Sequence, residues 1–226
     1  MMLLNGTENW KTNYPGAVVG VMAMQAVTNP PEHAGLDALK AQFEADLRSD
    51  FAGFTRPMLE QLPAIQPYVT YYKRFNKSYH VLFQLESVAQ KGKNLPRAAA
   101  LVEAMFMAEL KNQLLTAGHD LDSLNQPLTL NVADGSEQYA LLNGQAQALK
   151  PGDMFISDQQ GIISSIIYGP DRRTPITPVT RSVLFTVYAP RGIGRERVEA
   201  HLNDIRDHVT LVSPAARVTA LELHQA

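Results

Sequence analysis

The chain of 226 residues contains no cysteine, which excludes disulfides, thiolate nucleophiles and sulfur-ligated metals and fits a reducing compartment. It also lacks a charge excess. Twenty Lys and Arg stand against 22 Asp and Glu, so there is no global basic field of the kind that drives sequence-blind nucleic-acid binding. Any RNA contact has to use a local patch, and DNA is not expected as a partner. Long apolar runs are missing as well. The longest near the N-terminus, Ala17 to Val27, is too short to cross a bilayer and follows no basic leader. A soluble, cytoplasmic protein without a membrane partner is therefore expected. Phosphate-binding glycine motifs are absent: Gly192-Ile-Gly194 has neither a third glycine nor a βαβ setting, and no Gly-x-x-x-x-Gly-Lys occurs. There is no Gly-x-Ser-x-Gly, and Ser164-Ser165 fall inside an apparent strand. The six histidines are scattered. No metal or other cofactor is expected, and His201 and His208, two turns apart, read as solvated or capping.

What is present is an ordinary globular pattern. Ala17–Val27 has the look of a buried strand, and Leu36, Leu39, Phe43, Leu47 and Phe51 keep helical spacing. Pro57, Pro63 and Pro67 mark a candidate seam. Val69–Phe75 is β-prone, Val81–Gln90 reads as a helix, and a long helix is predicted from about Arg97 to a stop at Gly118. After Pro127 short strand candidates alternate with turns, at 128–132, 138–142, 154–157, 162–168 and 182–188. A helix over 195–208 and a strand over 217–223 follow. These elements predict an α/β (α+β) fold, a central, mostly antiparallel sheet flanked by helices. The chain is expected to form one domain, with 1–68 as a strand-helix extension and 69–226 as the core.

Three stretches carry chemistry. The first is the end of the long helix, where a nearly all-apolar run, Leu101–Ala108, turns polar. Glu109, Asn112, Gln113 and Thr116 would stack on one helical face, and Gly118 would swing His119, Asp120 and Asp122 into a loop beside it. The bland alternative is a solvated last turn. The second is Tyr168-Gly-Pro-Asp171-Arg-Arg173-Thr174-Pro-Ile-Thr177. It is either a bend with surface arginines or a pocket wall in which an arginine grips a carboxylate or phosphate. The third is basic, Lys73, Arg74 and Lys77 beside Tyr71, Tyr72 and Phe75, suited to RNA or to a solvated face.

The order of Lys77 to Glu86, Lys91-Gly-Lys-Asn-Leu-Pro96, the Leu-Val-Glu-Ala run from Leu101, Gly118-His-Asp-Leu-Asp122, Pro151-Gly-Asp153 and Thr174-Pro-Ile-Thr177 with Thr180 resembles the B3/4 domain family. That domain occurs in the phenylalanyl-tRNA synthetase β-subunit and in freestanding proteins. The resemblance implies an editing module that hydrolyses mischarged aminoacyl-tRNA, needing a positioned water and a stabilised oxyanion. The chain departs from the family pattern where Met105, Phe106 and Ala117 replace a Thr-Asn pair and a histidine, and where Glu109 replaces a serine of freestanding members. Catalysis is then expected of Glu109, Asn112, Thr116 or His119. Substrate contacts are expected from Met105, Phe106, Asp120, Asp122, Tyr168, Asp171, Arg173, Thr174 and Thr177, and RNA contacts from Lys73, Arg74 and Lys77. The rival expectation is a non-catalytic module that binds tRNA or an amino-acid-like ligand.

Overall fold

A computed structural model describes residues 3–226. In chain order it runs β1 (Leu4–Gly6), α1 (Glu8–Asn13), β2 (Val18–Gln25), then five helices, α2 (Ala34–Asp50), α3 (Arg56–Glu60), α4 (Ile65–Lys73), α5 (His80–Ala89) and α6 (Ala100–Asn112). The second half holds β3 (Thr116–Asp120), β4 (Leu128–Val132), β5 (Gln138–Ala140), β6 (Ala146–Ala148), β7 (Met154–Asp158), β8 (Gly161–Ser165), β9 (Gly169–Pro170), β10 (Ser182–Ala189), α7 (Arg195–Val212) and β11 (Arg217–Gln225).

The mixed α/β architecture with predominantly antiparallel pairing follows, with the strands divided among sheets. One sheet has the order β11-β2-β10-β3, a second β1-β4-β7-β8-β9, and β5-β6 forms a hairpin. All pairings are antiparallel except that of β1 with β4. Every residue of β10 and all but the last of β2 are buried, as continuous apolar runs require when both faces of a sheet are covered. Gly20 permits helix α7 to approach β2, since a Cβ there would lie 2.6 Å from Val198 Cγ1. The first 68 residues supply β2 to this sheet, and the main apolar cluster runs from Leu3 to Val212.

Three expectations are corrected. Val69–Phe75 is largely helical, within α4, because Tyr68, Tyr71 and Tyr72 at i, i+3 and i+4 turn to the interior and each phenol donates a hydrogen bond there. Their acceptors are Tyr188 O (2.6 Å), Asp153 Oδ1 (2.9 Å) and Ile166 O (2.6 Å). Aromatic side chains with satisfied hydroxyls override local β-propensity. The proline-rich seam is a pair of helix starts, with Pro57 opening α3 and Pro67 in the first turn of α4, where a missing N–H costs nothing. The long helix stops at Asn112, six residues before the expected glycine stop. Gln113 takes the left-handed conformation (φ +57°), its carbonyl accepts from Tyr79 Oη (3.1 Å), and Thr116–Asp120 then pairs along β10. Gly118 is a strand residue.

Candidate functional site

Helix α6 presents Val102, Met105, Phe106 and Glu109, spaced i, i+3, i+4 and i+7, to a cavity of about 290 Å³. The opposite wall is β3 at Thr116, Ala117 and Gly118. The loop at Pro175 and Ile176, with Gly169 and Pro170 of β9, closes one side, and Ser165 and Tyr188 come from β8 and β10. His80 lies at the start of α5, and Leu142, 55 % exposed, reaches over from the hairpin. Gly118 leaves the space its neighbours occupy here: a Cβ would stand 2.7 Å from Ile176 Cδ1 and 3.4 Å from Met105 Sδ, so those side-chain ends would have to shift.

Glu109 is the acid of this largely apolar chamber. It is 2 % exposed, its Oε1 accepts the Thr116 N–H (2.7 Å), and burial pushes its pKa up to about 8, the Thr116 bond only partly opposing this. The helix break makes this contact: by leaving the helix at Gln113 the chain turns back to bring the Thr116 N–H onto a carboxylate seven residues earlier. Thr116 Oγ1 shares a 2.7 Å hydrogen bond with His201 Nε2. The expectation that His201 is solvated is overturned. It is fully buried, and desolvation lowers its pKa to about 3, so it is neutral.

Of the residues singled out in sequence, Met105, Phe106, Glu109 and Thr116 meet at the cavity. Asn112 turns to α7, donating to Asp204 Oδ2 (2.8 Å). His119, expected in a loop, is fully buried in β3. Its Nδ1 is 2.8 Å from Thr174 Oγ1, which donates to Asp171 Oδ1. The Thr174 proton is thereby committed, so His119 Nδ1 carries the donated hydrogen and Nε2 is left bare and unpartnered. Burial, reinforced by the Arg173 charge and partly opposed by Asp158, lowers the His119 pKa to about 3. Asp120 is a local anchor, accepting from Asp122 N–H (3.0 Å) and Thr180 Oγ1 (2.6 Å), while Asp122 itself is exposed. Arg173 forms a two-pronged pair with Asp158 (2.9 Å for each bond) and so has its guanidinium engaged within the fold. Thr177 donates its backbone N–H to Thr180 Oγ1 (2.9 Å), and Tyr168 lies under Lys77 Nζ, 5.6 Å from the ring centre.

In the basic stretch, Lys73, Arg74 and Lys77 are exposed, whereas Tyr71, Tyr72 and Phe75 are buried. Those rings therefore offer no open face for stacking bases. His80, Leu142, Ser165 and Tyr188 were missed as cavity residues because they come from four segments that only the tertiary fold assembles. Among the described residues, no group of three His, Asp or Glu is arranged to hold a metal ion, and no helix is long and apolar enough to cross a membrane.

The fold and cavity define a mixed α/β domain with one buried carboxyl in a small apolar chamber. A family model of the B3/4 domain matches residues 69–206, and the chain belongs to the B3/4 domain family. Among solved structures it is similar to an N-terminal fragment of the phenylalanyl-tRNA synthetase β-subunit from Pyrococcus horikoshii, with a TM-score of 0.50 and 11% identity. The match covers 99% of this chain and 54% of that one, so the chain spans about half the length of the fragment and the likeness is one of fold. No curated protein matches the sequence.

Proposed function

We propose that this B3/4 protein hydrolyses the ester of mischarged aminoacyl-tRNA in trans, receiving the amino acid in the Glu109 cavity. The observation that carries this is the carboxyl of Glu109, buried in the wall of a chamber lined mainly by Met105, Phe106, Ile176 and their apolar neighbours. At about 290 Å³ the chamber sits at the small end of the roughly 300–1,000 Å³ of ligand pockets, a size for a single small moiety. Three of its wall residues, Met105, Phe106 and Ala117, are positions where the family pattern has polar groups. That favours an apolar amino-acid side chain.

In the step proposed, ionised Glu109 takes a proton from water as the water oxygen attacks the ester carbonyl. The C–O bond to the tRNA ribose then breaks, and the ribose oxygen takes up the proton. A base with a pKa of about 8 is about one-tenth ionised at pH 7 but retains strong proton affinity, a balance suited to general-base catalysis. Asn112, bonded to Asp204, and His119, bonded to Thr174, then act as positioning residues for α6 and β3.

The test is deacylation of a panel of aminoacyl-tRNAs by wild type and Glu109→Gln. Turnover of apolar aminoacyl esters, falling about 10²–10⁴-fold in the variant, is expected. Binding of aminoacyl-tRNA with no hydrolysis of any ester would replace this function with that of a non-catalytic binder.

A further inference from the structure

A second and larger concavity, about 550 Å³, lies between α4, the segment before it, and the turn Pro190–Gly192 that leads from β10 to α7. It shares no lining residue with the Glu109 cavity. Two guanidiniums line it, Arg74 and Arg191, and no acidic side chain does. Among the described residues neither arginine has a carboxylate partner within 4.0 Å, so both charges remain open to an anion. Arg74 is also held in place. Its guanidinium carbon lies 5.4 Å from the Tyr14 ring centre and 5.6 Å from those of Tyr71 and Phe75. Gly152 leaves room for it, since a Cβ there would come within 3.4 Å of Nη2. Three aromatic contacts restrict the side chain before any ligand arrives, which reduces the ordering cost of binding.

We propose that this groove binds a phosphorylated nucleoside, free or as one unit of an RNA strand. Phosphate oxygens pair with the forks of Arg74 and Arg191, the geometry guanidinium serves best. The groove is much larger than an inorganic anion needs. Beside the arginines it offers flat apolar surface from Pro63, Pro67 and Pro190, with the amides of Gln61 and Gln66 at its edge. Apolar faces with hydrogen-bonding edges are the requirement of a base. The inference stands apart from hydrolysis in the Glu109 cavity.

Titration calorimetry at low and at physiological salt, with AMP, a short oligoribonucleotide, inorganic phosphate and citrate, tests it. Expected are binding of AMP or of the oligoribonucleotide well above phosphate and citrate, and weakening with salt. A loss of at least about tenfold is expected in Arg191→Gln, whose side chain is exposed and whose replacement leaves thermal unfolding unchanged. Binding of both ligands assigns a nucleotide site, and binding of the oligoribonucleotide alone assigns an RNA strand. Equal affinity for phosphate and the nucleotides, no binding by either nucleotide, or binding indifferent to both Arg191→Gln and Arg74→Gln would overturn the proposal.

Discussion

Glu109 concentrates the physical tension of the molecule in one side chain. A carboxyl with its folded pKa near 8, above an ordinary value of 4.5, binds its proton more tightly folded than unfolded. Its burial is therefore fully tolerated below about pH 4.5, and stability is lost as pH rises through 8. Glu109→Gln keeps an acceptor for the Thr116 N–H and removes the charge. The variant is expected to match wild type at pH 4.5 and exceed it at pH 9 by an amount on the order of a few kcal/mol. Chemical denaturation at the two pH values reads this out, and a pH-independent difference would contradict it. Gly118→Ala tests the chamber wall. Its Cβ meets the flexible end of Ile176, so a cost under about 1.5 kcal/mol is expected, together with a rise in KM for a cavity-bound substrate. An unchanged KM would place the substrate elsewhere. Glu109 was legible in the sequence as the first acid after an apolar helical run. What it touches was not, because Thr116 reaches it only through a helix break that the residue pattern does not announce.

At the scale of elements, that break is the main departure from the sequence reading. Gly118 looked like a helix stop, yet the left-handed position is Gln113. The stop is fixed by tertiary bonds, Tyr79 Oη to Gln113 O and Leu115 N–H to Tyr68 Oη (3.0 Å). Because Gln113 bears the left-handed penalty, Gln113→Gly is expected to stabilise the protein by about 0.5–1 kcal/mol, and a loss of stability in thermal unfolding would count against this account of the break. The second half of the chain is the more legible, since short β-prone runs set off by turn residues recover β4 and β7, and the continuous apolar run recovers β10, nearly residue for residue. The helical tyrosines of α4 were misread because propensity is local and phenol partners are distant. The loop over 171–174 depends on its own pin: Arg173 is bonded to Asp158, whose side chain is fully buried. Asp158→Asn, which leaves the arginine with a neutral partner, is expected to cost about 1–3 kcal/mol and to loosen the loop beside the cavity, measured as faster amide exchange over 171–176. Unchanged exchange would make the pin dispensable.

Over the whole molecule, buried titratable groups set a stability profile with two limbs. Asp153, lifted to about 7 mainly by burial, and Glu109 both lose stability as pH rises through their folded values. His119 and His201, depressed to about 3 by burial, act in the opposite sense, because the unfolded chain takes up their protons below about 6.5. Their contribution is present at neutral pH and disappears as pH falls toward 3. The opposing slopes overlap between roughly pH 4.5 and 6.5, where a broad maximum in melting temperature is expected. A melting temperature rising monotonically to pH 9 would contradict this balance. The same chemistry governs the proposed reaction. Single-turnover deacylation of the best apolar aminoacyl-tRNA between pH 6 and 9, in wild type and Glu109→Gln, probes it most directly. The account predicts a wild-type rate that climbs about tenfold per pH unit and levels near pH 8, and a variant rate that is low with that inflection gone. A wild-type inflection that persists in Glu109→Gln would show that the buried carboxyl is not the base.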